Sequence, residues 1–371
     1  MNILVANLGS TSFKYQVLDT DNGFAVVAKG AYERIGQATG TFRDHGEVID
    51  VILKELPKQP DAIGFKAVHG GPISGAVKVD RKVIDTMQAF ADVAPAHNPC
   101  YIAAMKSFHE KLPGVPQVAC FETAFHATIP QARQTYAIPH EWTEKLGIRR
   151  YGFHGASHRY VAGRIKELEP SVTKVINCHL GGSSSMCAIK DGQSVAASMG
   201  LTPQTGLPQN NRVGDFDIFA LLKLLKSGYT TEEVLTKLGK QSGLLGVSGV
   251  SNDMRDIEKA AAEGNVRAKL AIDVMVDSIR HYLGAYTVAL GGLDAITFTA
   301  GIGENGVELR ESVCQGLEWL GVKLDPEKNK VRSKETKISA ADSKVAVWVV
   351  PTNEELVVAK QTKEVLETLN G

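Results

Sequence analysis

The feature that most constrains this chain occurs twice, about half a chain apart. ILVANLGSTSFKYQVLDTDNG (3–23) and VINCHLGGSSSMCAIKDGQ (175–193) follow the same plan. An apolar run passes through polar residues into Leu-Gly and a Ser/Thr cluster. An alternating run follows and ends in an Asn-Gly or Asp-Gly turn. Each reads as a β-hairpin. The repeat predicts two similar domains, each opening with a hairpin whose tip carries small hydroxyl residues.

The rest of the chain alternates between strand and helix signals. Residues 62–71 (AIGFKAVHGG) and 117–126 (QVACFETAFH) read as strands with polar or glycine-rich ends. Helical periodicity runs through 103–112, 217–226, 231–238 and 265–290. ITFTAGIGENGVELRESV reads as strand, glycine turn, helix, and KVAVWVVPTNEELVVAKQT as strand, Pro turn and a helix opened by a capping-box-like Thr-Asn-Glu-Glu. The mixture is α/β. At 371 residues two domains are expected, with boundaries at 1–150 and 151–354 and a last helix (355–371) that can return to the first.

Lys plus Arg and Asp plus Glu both number 41, and this balance argues against a dedicated nucleic-acid binder. The five cysteines form no C-x-x-C pair and read as reduced thiols in a cytoplasmic enzyme. No leader peptide is evident, and no apolar run approaches the ~20 residues that span a bilayer, so no membrane partner is expected.

Three loops suit phosphate. Gly9-Ser10-Thr11-Ser12 is either an ordinary hairpin turn or an anion-binding concavity, with Lys14 nearby. His179-Leu180-Gly181-Gly182-Ser183 is its second copy. Gly301-Ile302-Gly303-Glu304-Asn305-Gly306 spells G-x-G-x-x-G between strand and helix, with Asp325 about 20 residues on, the pattern of a nicotinamide-dependent dehydrogenase. It lies late in the chain, however, and Glu304 would set a carboxylate beside a pyrophosphate. His154 and His158, four apart, could hold zinc or pack as a hydrogen-bonded pair; no Glu follows His154 and no third ligand is obvious.

Taken in order, NLGSTSFKYQ, AVHGG, APAHNP, FETAFH, RRYGFHGASH, CHLGGSSS, GLTPQTGL, SGLLGVSGVSNDMRDI, FTAGIGENG and PTNEELVVA resemble the acetate/propionate kinase family, from Asn2 to about Thr362. The resemblance implies two duplicated ribonuclease-H-like domains of the kind shared with actin and hexokinase, an interdomain cleft and a homodimer. It implies reversible transfer of the ATP γ-phosphoryl to a short-chain carboxylate. Asn7 and Glu354 would serve Mg²⁺ (or Mn²⁺), which takes oxygen ligands. Lys14, His179 to Ser183, Asp253, Met254, Arg255 and Gly301 to Asn305 would meet ATP or ADP. Arg212 and His154 would face the transferred phosphoryl group, with Glu122 as acid, base or orienting carboxylate. Lys66, Val68, Ala96, Phe153 and Pro203 would form the acyl pocket.

Several positions depart from the family pattern. Lys66 stands in place of arginine, Glu122 of aspartate, Gly182 of asparagine and Ala96 of leucine, and TPQTGLPQNN replaces a conserved-looking loop. These departures keep open a longer acyl chain such as propionate or butyrate, pyrophosphate as donor, another acceptor, or a nucleotide-binding homologue without activity.

Overall fold

The computed structural model describes residues 1–95 and 97–370. Ala96, named above as a pocket wall, lies outside the described residues.

Two six-stranded sheets organise the chain. The first contains β1 (Asn2–Gly9), β2 (Ser12–Asp19), β3 (Ala25–Glu33), β4 (Ala62–Ala67), β5 (Ala76–Lys78) and β6 (Gln117–Phe121), in the order β3-β2-β1-β4-β6-β5. The second contains β7 (Lys174–Leu180), β8 (Ser184–Lys190), β9 (Gln193–Ala197), β10 (Ala295–Thr299), β11 (Thr336–Lys337) and β12 (Ala346–Val349), in the order β9-β8-β7-β10-β12-β11. Strand for strand the two orders are the same, and so are the senses. The opening hairpin and third strand are antiparallel, the fourth and last strands run parallel to the first, and the fifth is an antiparallel edge. The repeat in the sequence is thus a repeat of a whole domain plan. The chain has the duplicated ribonuclease-H-like architecture.

Parallel strands in the middle of a sheet are covered on both faces, so their sequences are continuously apolar. β10 is buried at every residue. β4 breaks the rule at one position, Lys66, and a cation in a central strand needs a reason.

The helices exchange between the halves. The helix Gly155–Leu168 follows the first sheet in sequence but lays Val161, Ala162 and Ile165 on Val175, Ile189 and Ala295 of the second. The last helix, Glu354–Asn370, returns to put Val358, Ala359 and Leu366 on Ile3, Val5, Ala62 and Val118 of the first. The opposite face of the second sheet carries the helix Val266–Leu290, whose buried Ala268, Ala271, Met275, Ile279, Leu283, Tyr286 and Leu290 recur every three or four residues. Asn265 caps its start and Gly291, at φ 67°, ends it.

Two local expectations are corrected. The segment after β10 is no glycine turn. Helix Ala300–Asn305 begins at once and breaks at Gly306, before Val307–Cys314. Gly303 packs against β7, where even a Cβ would make only ordinary contacts, 3.5 Å from the Cys178 carbonyl and 3.6 Å from Leu180. The last helix is capped by Asn353, whose Oδ1 accepts the Leu356 N–H at 3.1 Å, one residue later than the Thr352 box predicts.

Candidate active site

In both sheets the first, fourth and sixth strands are parallel, so their carboxyl ends share one edge. Open α/β sheets bind ligands at that edge. Asn7 comes from the end of β1, Lys66 from β4, and Glu122 from the residue after β6. The second sheet supplies His179 at the end of β7 and Gly301 just beyond β10, with Glu354 at the start of the helix after β12.

A cavity of about 140 Å³ forms where these ends meet. Asn7, Lys66, Val68, Glu122, Phe153, His154, Ser183, Pro203 and Arg212 all line it, so the predicted catalytic and acyl-pocket residues within the described chain converge on one place. Leu8, His97 and Tyr101 line it too and were not singled out from the sequence. Drug-sized ligands occupy ~300–1,000 Å³, so this space takes only a few heavy atoms.

Lys66 answers the anomaly in β4. Its ammonium forms an ion pair with Glu354 and lies 4.0 Å from Glu122 Oε1. Burial opposes its charge, but Glu354 and Glu122 outweigh burial and hold its pKa above the ordinary lysine value. Burial likewise works against the charge of Glu354, and Lys66 and His179 overcome it to keep the carboxyl below its usual range. Glu122 goes the other way. Burial pushes it up to about 7, against the pull of Lys66. The N–H groups of Gly155 and Ala156 face it from a helix start but fall short of hydrogen-bond geometry, so both carboxylate oxygens lack a hydrogen-bond partner and have only the Lys66 ammonium nearby. Gly155 is required there, because a Cβ would lie 2.0 Å from the Glu122 carbonyl oxygen.

This donor set fits a hard divalent cation. Glu122 offers buried oxygens with no hydrogen-bond partner, and Glu354 a second carboxylate already paired with Lys66. Asn7 donates its Nδ2 to Glu355 at 3.4 Å and can offer Oδ1 as an oxygen ligand. A Mg²⁺ held by few protein groups, waters and phosphate oxygens needs no more.

Arg212 is fixed before any ligand arrives. Its Nη1 donates to Ser183 Oγ at 3.1 Å and Gln209 Oε1 at 3.2 Å, and Gln209 Nε2 donates to the Pro203 carbonyl at 2.7 Å. His154 starts its helix at φ 78°, a left-handed conformation, and its ring stacks on His179 at 4.1 Å. Its Nδ1 meets Ser185 Oγ at 2.8 Å, and Nε2 makes no hydrogen bond among the described residues. His158 meets the same Ser185 oxygen at 2.9 Å, so the two histidines share a hydroxyl. Tyr101 accepts the Leu8 N–H at 2.9 Å, tying a helix to the first hairpin tip.

A second cavity of about 580 Å³ adjoins the first. Gly181, Gly182, Asp253, Met254, Arg255, Gly301, Ile302 and Asn305 line it, joined by Asn210, Glu258, Gly306 and Arg332. The β7–β8 turn is the partition: Gly181 and Gly182 face the larger cavity and Ser183 the smaller. Asp253 caps the helix Met254–Ala262, accepting the Arg255 N–H at 2.9 Å.

Some predicted nucleotide residues sit elsewhere. Leu180 is fully buried in the core of the second sheet, and His179 is buried with Nδ1 on Ser157 Oγ at 2.8 Å. Gly303 and Glu304 do not line the larger cavity. Lys14 lies opposite Asn7 in the hairpin but points to solvent, 3.9 Å from Glu33. Sequence alternation along β2 carries that signal, since Phe13 and Tyr15 on either side are buried.

A duplicated α/β fold with an apolar-walled pocket beside a larger glycine-lined cleft defines a two-domain phosphotransferase. The comparisons make this specific. The acetokinase family profile matches residues 2–360. The acetate kinase of Thermoanaerobacter pseudethanolicus is 47% identical over 401 aligned positions, covering 100% of both chains. That of Dictyoglomus turgidum is 45% identical over 397, covering 99% of this chain and 98% of its own. Among solved structures, Porphyromonas gingivalis acetate kinase superposes with a TM-score of 0.90 at 38% identity, over 98% of this chain and 99% of that one. A propionate kinase from Francisella tularensis superposes at 0.91 and 35%, with the same coverage. The chain belongs to the acetokinase family.

Proposed function

We propose that this protein transfers the γ-phosphoryl group of ATP to acetate or a slightly longer carboxylate, giving acyl phosphate and ADP. One observation carries the reading. A cavity sized for a few heavy atoms, with Val68, Phe153 and Pro203 as apolar wall, meets Arg212, His154 and Lys66 at the mouth of a 580 Å³ cleft. A cleft of that size favours a nucleotide over pyrophosphate as donor.

The carboxylate acceptor is already ionised at neutral pH, so no base is required. One of its oxygens forms the new O–P bond. The bond to the ADP oxygen breaks, and its electron pair leaves with ADP. The task of the protein is in-line placement and charge neutralisation. Arg212 offers a planar fork to the equatorial oxygens and is held for it by Ser183 and Gln209. His154 offers its free ring nitrogen to the same group. Lys66 and Glu354 hold each other, and Lys66 closes the acyl end. Asn7, Glu122 and Glu354 would hold a Mg²⁺, which when bound would supply neutralisation of phosphate charge.

Several further readings belong with this one. Residues 1–150 with the last helix, and residues 151–354, act as two bodies that close over substrates. The exposed Ile218, Phe219 and Leu222 (69%, 74% and 57%), beside Phe216 and Tyr229, support self-association as a homodimer. The buried Cys120, Cys178, Cys187 and Cys314, none of them in a disulfide among the described residues, support a reducing cytoplasm. No helix among the described residues is long and apolar enough to cross a membrane.

The test is hydroxamate trapping of acyl phosphate from Mg·ATP with acetate, propionate and butyrate, with Mg·pyrophosphate in parallel. Product with ATP alone supports the reading, and the rank of kcat/KM sets the acyl chain. Product only with pyrophosphate, or none from folded protein, overturns it.

A further inference from the structure

We infer that a hydrogen-bonded relay, Thr297–Asn177–His158–Ser185–His154, runs from inside the second sheet to the cleft and fixes His154 as a hydrogen-bond donor to the transferred phosphoryl group. The role of His154 itself rests on the function proposed above; the relay behind it does not.

The links are short, and all but the one to His154 are buried. Thr297 Oγ1 lies 2.7 Å from Asn177 Oδ1, and Asn177 Nδ2 lies 2.8 Å from His158 Nδ1. His158 Nε2 is 2.9 Å from Ser185 Oγ, which is 2.8 Å from His154 Nδ1. Thr297, Asn177 and His158 are wholly inaccessible, and Ser185 is 1% exposed. The fold builds the relay from four elements. Thr297 of β10 is the register partner of Asn177 in β7, Ser185 lies in β8, and the two histidines are one helical turn apart.

Donor and acceptor counts set its direction. The Thr297 hydroxyl has one proton, and Asn177 Oδ1 is its acceptor among the described residues. Asn177 must then turn its amide N–H to His158, making Nδ1 an acceptor and leaving the His158 proton on Nε2. That proton goes to Ser185 Oγ. The Ser185 proton goes to His154 Nδ1, and the His154 proton is left on Nε2, the nitrogen free of protein partners. The reverse direction strands the Thr297 proton in the core and gives the phosphoryl group a bare lone pair. The scheme needs neutral rings, and burial holds His158 and His154 well below the ordinary histidine value, with His126, His179, Lys66 and Arg212 adding to it. Stacking on His179 stops the His154 ring from turning out of line.

Thr297, Asn177, His158 and Ser185 are therefore positioning residues. The test is the tautomer of His154 in the full-length protein, labelled with ¹⁵N-histidine and read by long-range ¹H–¹⁵N correlation, with His154→Gln for assignment. Wild type is expected to show a protonated Nε2 and a bare Nδ1. Thr297→Val keeps the shape and removes the proton donor, so it should mix the tautomers and lower kcat about tenfold with KM for ATP within about twofold. Thr297→Ser should restore both. If the valine variant does not fold, Asn177→Asp, which can only accept, should drive the proton of His154 to Nδ1. A wild-type proton on Nδ1, an unchanged tautomer in Thr297→Val, or equal loss in the serine variant would each overturn the relay. A correct tautomer in a protein that phosphorylates no carboxylate would sink the function and leave the relay standing.

Discussion

At the tip of the first hairpin, the hydroxyls of Ser10, Thr11 and Ser12 make no hydrogen bond among the described residues. At the second tip every hydroxyl is engaged: Ser183 with Gln209 and Arg212, Ser184 with Gly181, and Ser185 with His154 and His158. The turns differ by one residue, since Gly9 pairs with Ser12 but Leu180 with Ser184. The strands that follow differ more. β2 alternates, with Lys14 in solvent, whereas β8 is buried from Ser184 to Ile189. A helix start carrying His154 and His158 lies against β8 near its tip, and water cannot satisfy those hydroxyls. Two similar tips have thus become different devices: the first keeps its hydroxyls off protein partners among the described residues, and the second is the framework that holds Arg212 and His154.

The largest effect should come from the residue the second tip holds. Arg212→Ala should lower kcat by ~10³-fold or more with the fold intact, and Arg212→Lys should recover little because the fork is lost. A drop below tenfold in steady-state assays would remove Arg212 from the transition state.

Paired serine variants test the comparison directly. Ser185→Ala leaves two buried ring nitrogens without a partner and should cost ~1–3 kcal/mol in denaturant unfolding. Ser12→Ala should stay within ~0.5 kcal/mol of wild type and instead raise KM for ATP. Equal stability losses would mean the two tips are alike after all.

The first lobe carries its own signature in Glu122. Its pKa of about 7 lies above the carboxyl reference of 4.5. The folded state therefore keeps a proton that the unfolded chain has released, and its stability falls as pH rises between those values. Glu122→Gln should abolish that fall, gaining on the order of 1–3 kcal/mol relative to wild type at pH 8 and little at pH 4.5. A pH-independent gain in Tm would show that the carboxyl is not held protonated.

Smallest of all, Lys14→Ala should change stability by less than ~0.5 kcal/mol, because its pair with Glu33 is exposed on both sides. It should also leave KM for ATP within about twofold. A large rise would return Lys14 to the nucleotide site.

The duplication and the α/β class were legible in the sequence because each is written locally, whereas most residues of the small cavity were named through the resemblance to a family, and Leu8, His97 and Tyr101 were not named at all. Apolar runs and glycine turns mark the loops, but the long motifs pointed to Asn7, Glu122, His154, Arg212 and Glu354 only because they resemble those of a known family. The larger cavity was anticipated in part: Gly181, Asp253 and Ile302 line it, while Leu180 lies in the core and Lys14 points outward. What only the tertiary structure decided are partnerships between distant residues. Lys66 reads locally as a weakened arginine, yet it is bound to Glu354 at the far end of the chain. Asn177 and Thr297 read as ordinary polar residues inside apolar strands, and only the parallel register of β7 and β10 joins them behind His154. The exchange of the helices Gly155–Leu168 and Glu354–Asn370 is equally silent in sequence, because an apolar face specifies that it must be covered and not which sheet covers it. Periodicity records burial, but the choice of partner for a buried charge or hydroxyl is made when the two sheets close on one another.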